Sequence, residues 1–178
     1  MIKLKFLASA SIVVALILGG CSNDKKENVA PSNKAQETKI ADFWTVVEGA
    51  TWTDDFDGLK TTIKHIVVSD KVPMNDGSLA SAVGVKFKIE NTTNETFNTF
   101  PDQAELVTST GEQMRADLQN DDIGGDIYEG VTKEGNVDFI LKKGHAEDIK
   151  WITLKWFAKK GESMGDGERK NYDVKIEF

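Results

Sequence analysis

Five carboxylates, Asp117, Asp121, Asp122, Asp126 and Glu129, fall within thirteen residues around the Gly124-Gly125 pair. Hard cations want several oxygen ligands from one loop, and two adjacent glycines let the backbone turn acids toward one ion, so the spacing admits a calcium site. A solvated loop of mutually repelling charges is the alternative reading, because the spacing fits no established calcium register. A second acidic stretch fails directly. With Thr53, Asp55, Asp57 and Gly58 at positions one, three, five and six of a calcium loop, Lys64 takes position twelve, where a bidentate glutamate is required; a turn before the next strand suffices. No other cofactor is implied. Nucleophilic chemistry needs a Ser, Thr or Cys beside a base, commonly His, and the two histidines read otherwise. His65 shares the apolar parity of Ile63 and Val67, which suits a core histidine, and His145 falls in a polar turn. Gly130 and Gly135 have phosphate-loop spacing, but Asn136 stands where the lysine belongs, so the segment reads as a turn. No catalytic residue is assigned, and an enzyme is not expected.

The sole cysteine has a different context. Lys3 and Lys5 precede an apolar run from Phe6 to Leu18, and Leu18-Gly19-Gly20 leads into Cys21. The run is too short to span a bilayer, which takes about 20 residues, and its order is that of an export signal. Leu18-Gly19-Gly20-Cys21 resembles the lipobox of bacterial lipoproteins. The resemblance implies a diacylglyceryl group on the Cys21 sulfur, a removed signal over residues 1–20 and a chain anchored outside the cytoplasm. Residues 21–39, poor in apolar side chains, read as a flexible tether.

Residues 40–178 form the expected single domain, with 16 basic against 26 acidic residues. A formal charge of −10 argues against a nucleic-acid surface and against adhesion to anionic lipid. Val83, Val85, Phe87 and Ile89 alternate with polar or small residues, as do Ile152, Leu154 and Trp156, and Val174, Ile176 and Phe178. Leu59–Val67, Gln103–Thr108, Gln113–Leu118 and Asn136–Leu141 complete about seven strands separated by turn-like clusters. That spacing predicts an all-β, antiparallel sandwich. Ile40, Phe43, Trp44 and Val47 share a helical face, so a short N-terminal helix is one reading of that segment; Thr45-Val46-Val47 also suits a strand.

Val85 to Asn91 ends a strand at an asparagine, Phe100 to Leu106 leads to Gly111, and Gly130 to Gly135 precedes Val137 and Phe139. This order resembles the immunoglobulin-like domain of bacterial surface lipoproteins, over residues 59–157. The resemblance implies an immunoglobulin-like sandwich at the cell surface and no catalytic residues. The polar insertion Gln119–Glu129 and the tail after Trp156 depart from that pattern and are where a specific role could sit.

Among the tryptophans, Trp151 has the parity opposite to Ile152, Leu154 and Trp156 and so faces away from the main core. If it lies exposed beside Phe43 or Trp44, then Trp44 and Trp151 form an apolar partner site. The sequence therefore leads to a lipid-anchored extracytoplasmic module for an unidentified protein or envelope component.

Overall fold

The computed structural model describes residues 42–116 and 120–178. Within them the chain forms β1 (Thr45–Val47), β2 (Trp52–Phe56), β3 (Leu59–Pro73), β4 (Leu79–Asn91), β5 (Phe97–Thr99), β6 (Glu105–Thr108), β7 (Gln113–Arg115), β8 (Gly125–Ile127), β9 (Thr132–Ile140), β10 (Trp151–Lys160) and β11 (Arg169–Glu177). Two single 3-10 turns, Pro101–Gln103 and Ala146–Asp148, complete the elements.

In the first sheet β1 and β2 follow one another along one edge of β3, and β4 and β9 continue on its other side. In the second sheet β11 pairs with one edge of β10; β6 and β5 share the other edge and carry β7 and β8 beyond them. Every pairing is antiparallel. The two inner faces meet in one core, with Ile63, Phe87, Ile89 and Phe139 from the first sheet against Phe97, Leu106, Ile152 and Leu154 from the second. This is the expected all-β sandwich, an arrangement consistent with an immunoglobulin-like fold. The seven anticipated strands correspond to β3, β4, β6, β7, β9, β10 and β11. The other four are short and align beside longer neighbours.

Along one side the core is aromatic. Trp156 stacks on Tyr172 with ring centres 4.5 Å apart, and Trp52 and Phe87 meet Trp156 edge-on. Edge-to-face and offset contacts of this kind add to the area they bury. The same side is tied across the sheets by Asp54 on β2, whose Oδ2 accepts from Lys170 Nζ at 2.6 Å and from the Tyr172 hydroxyl at 3.2 Å. Burial, with the Asp54 carboxylate beside it, pushes the Tyr172 phenol well above its ordinary range.

Four sequence expectations are corrected. Residues 42–43 turn and 45–47 pair with β3, so no N-terminal helix forms in the described residues: the pairing edge of β3 outweighs a weak helical pattern. Thr53 and Asp55 lie in β2 rather than in a turn. Gly135 lies inside β9, which begins at Thr132. His65 is not a core residue. The β3–β4 register shifts between Ile63 and His65, and the inserted residue reverses the parity, so that Ile66 and Val68 join the core while His65 faces outward beside Lys86. Partial burial, then Lys86 and Lys64, hold its imidazole below the usual histidine range.

Candidate functional site

Four connections meet at one end of the sandwich: the β2–β3 turn at Asp57-Gly58, residues 92–96, the turn at 128–131 and the β10–β11 loop at 161–168. Their meeting point is Asn91, the last residue of β4 and only 3% exposed. Its Nδ2 donates to the Glu95 and Ile127 carbonyls at 2.6 and 2.9 Å, and its Oδ1 accepts from the Thr93 amide and hydroxyl. Its own amide donates to Val131 O. Asn91 thus fixes two loops through its side chain and the start of β9 through its amide. The remaining two loops are joined by Thr92, which donates to Gly58 O, and by Gly161, whose amide donates to Thr96 O at 2.7 Å.

The surface of this end is acidic. Asp57, Glu95, Glu129, Glu162, Asp166 and Glu168 are all exposed on it. Two nearby lysines are engaged within it: Lys160 pairs with Glu95 at 2.7 Å and Lys159 donates to the Ser163 and Gly165 carbonyls. The Glu95 hydrogen bond holds Lys160 above its ordinary range. Two exposed apolar side chains, Tyr128 at 55% and Met164 at 100%, project from the same loops. They lie in the polar insertion Gln119–Glu129 and in the tail after Trp156. A lone aromatic or methionine among acids and glycines was the only sequence signal for them.

The acidic cluster is divided among three places. Asp121 lies against the free edge of β9, with its amide donating to Asn136 O and its Oδ2 accepting from the Asn136 amide at 2.8 Å. Asn120 Oδ1 accepts from the Asp138 amide beside it. Asp126, on β8, accepts from Asn98 Nδ2 and from the Ser163 amide, supporting the loop above it. Asp122 and Glu129 are exposed, and Asp117 lies outside the described residues, as does Cys21 with the export signal and tether. Among the described residues no three His, Cys, Asp or Glu side chains are placed to hold a metal ion.

Trp44 and Trp151 lie on opposite outer faces. Trp44 covers the outer face of the first sheet: a Cβ added to Gly84 would lie 3.6 Å from Trp44 Cη2 and 2.8 Å from Val67 Cγ2. Trp151 lies on the outer face of the second sheet, opposite Glu177 and under Lys175 Nζ at 4.7 Å from its ring. The two therefore do not form one patch. Each is only partly exposed.

The opposite end carries a shallow, open cleft of about 410 Å³ between the β6–β7 turn and residues 142–144. Glu112 spans it, accepting from the Lys142 amide at 3.0 Å through Oε2. Behind the cleft Asp70 accepts from the Ala146 amide at 2.7 Å. Burial raises its carboxyl, but the Ser81 hydroxyl, the Ala146 amide, His145 and the Glu147 amide together outweigh this and hold it low.

Fold and site together define an antiparallel β-sandwich with a rigidly assembled acidic loop pole. No protein-family model matches the chain, and no curated protein matches it significantly. Among solved structures it is similar to a Bacillus subtilis chain, ycdA, provisionally designated a lipoprotein, at 21% identity and a TM-score of 0.48. The match covers 70% of this chain and 38% of that one, so the chain spans well under half the length of that relative. A functionally unknown protein of Listeria monocytogenes is similar at 15% identity and 0.49, covering 76% and 86%. The secreted protein MPT63 of Mycobacterium tuberculosis is similar at 14% and 0.39, covering 73% and 93%.

Proposed function

We propose that the protein is an extracytoplasmic lipoprotein, held at a bacterial membrane through lipid on Cys21, that binds a protein or envelope component through its acidic loop pole. The observation that carries this reading is the pole itself, where loops fixed by the buried Asn91 present acids around Tyr128 and Met164. Loops already held in place lose little freedom on binding, and exposed aromatic and methionine side chains supply apolar contacts at the centre of an interface. The surrounding carboxylates favour a cationic partner and speed its approach. The role is binding rather than catalysis.

β1 pairs with the far part of β3, Thr45 opposite Val68, away from the loops at 57–58, 92–96, 128–131 and 161–168. Proximity crosslinking in the native cells, compared with Cys21→Ala, tests the reading. One enriched envelope partner that is lost in the variant supports it. Equal capture with and without Cys21, or no enriched partner, overturns it.

A further inference from the structure

β11 is the longest open edge among the described residues. In the β10–β11 ladder Lys160 N donates to Glu168 O and Phe178 N to Lys150 O, each at 2.8 Å, so even-numbered residues of β11 face β10. The amides and carbonyls of Arg169, Asn171, Asp173, Lys175 and Glu177 point the other way, and no described residue takes them. Exposed edges are normally blunted by bulges, prolines, shortness or charged side chains, and of these β11 has only charges, of both signs. β11 runs nine residues with unbroken register and no proline. By contrast, the edge of β9 is covered by Asn120 and Asp121.

Among the exposed side chains of β11, Asp173, Lys175 and Glu177 alternate in charge along the strand. We infer that β11 pairs antiparallel with β11 of a second copy, about a two-fold axis through Val174. Such a contact is isologous and closes on itself. In this register the outward backbone groups of 171 and 177, and of 173 and 175, meet as hydrogen-bonded pairs. Asp173 then faces Lys175 of the other copy, twice, and Asn171 faces Glu177. An axis at 173 sets Asp173 against itself; one at 175 does the same to Lys175; one at 172 opposes Arg169 to Lys175. Like charges directly opposite are destabilising, and of the axes that avoid them, at 171, 174 and 176, the one at Val174 aligns the longest stretch of β11. In the single chain Asp173 pairs with Lys155 at 3.5 Å, and Lys175 pairs with Glu177 at 2.6 Å and lies over the Trp151 ring; the two ion pairs are exposed and can be replaced at little cost. The strands run antiparallel, so the dimer presents one acidic pole at each end.

Sedimentation of the full chain, extracted from its cells into density-matched detergent, tests this. The expected result is a concentration-dependent monomer–dimer equilibrium. Lys175→Pro, whose lost amide serves no described residue, leaves a folded monomer by circular dichroism and removes the dimer. Lys175→Glu weakens dimerisation by about tenfold, and adding Asp173→Lys to it restores the wild-type equilibrium, so the charge series decides even if the proline variant misfolds. A monomer up to about 100 µM, a dimer that survives Lys175→Pro in a folded chain, or a charge swap that fails to restore association overturns the inference.

Discussion

Gly135 shows how one missing methyl shapes the molecule. A Cβ there would lie 2.5 Å from Ile123 Cγ2 and 2.6 Å from Asp121 Cβ, so the segment that covers the β9 edge can approach only because position 135 is glycine. Gly135→Ala should cost about 1–3 kcal/mol, as overpacking does, measured by denaturant unfolding; an unchanged midpoint would show that the segment is not seated on the strand. Asp102 is a second case. Burial raises its carboxyl, repulsion from Asp122 adds to this, and its own backbone amide and Lys133 oppose it without cancelling it. A raised carboxyl in the folded state means that ionisation costs stability, a cost present above the folded pKa and absent below the unfolded one. Asp102→Asn should therefore raise the melting temperature at neutral pH, and the gain should fade as the pH falls through the carboxylate range. A variant equally destabilised at both pH values would contradict this assignment.

The elements assign the tryptophans different tasks. Trp156, 7% exposed, stacks in the aromatic side of the core, whereas Trp44 covers Val67 and Gly84 from outside the first sheet. Trp156→Ala should cost about 3–5 kcal/mol and Trp44→Ala about 1–2 kcal/mol in equilibrium unfolding; equal losses would mean that Trp44 is part of the core. The strict alternation of Val83 to Ile89 correctly marked both faces of β4. The same reasoning failed on β3 beyond Ile63, since a bulge reverses the residues from His65 until a second register shift after Ser69, and no side chain in the sequence announces either. β1, β5 and β8 are too short to show a period and exist because longer strands offer them partners. The clustering of acids was legible, but their separation was not, because it depends on which strand edge each one reaches. Asn91 was visible as the end of a strand, while its role as the junction of loops distant in sequence was not.

At the scale of the molecule, a domain of formal charge −10 concentrates exposed acids on one loop pole, with Tyr128 and Met164 among them. Its loops are held by the hydrogen bonds of Asn91, Thr92 and Gly161. Association through the pole should weaken as salt screens the carboxylates over a Debye length of about 8–10 Å. The most direct measurement places a photocrosslinking residue in the full chain in its native cells, at position 164 on the pole or at position 46 on the outer face of the first sheet. The account predicts a specific adduct from 164, lost in high salt, and none from 46. A specific adduct from 46 with none from 164 would contradict it and move the binding surface to the Trp44 face.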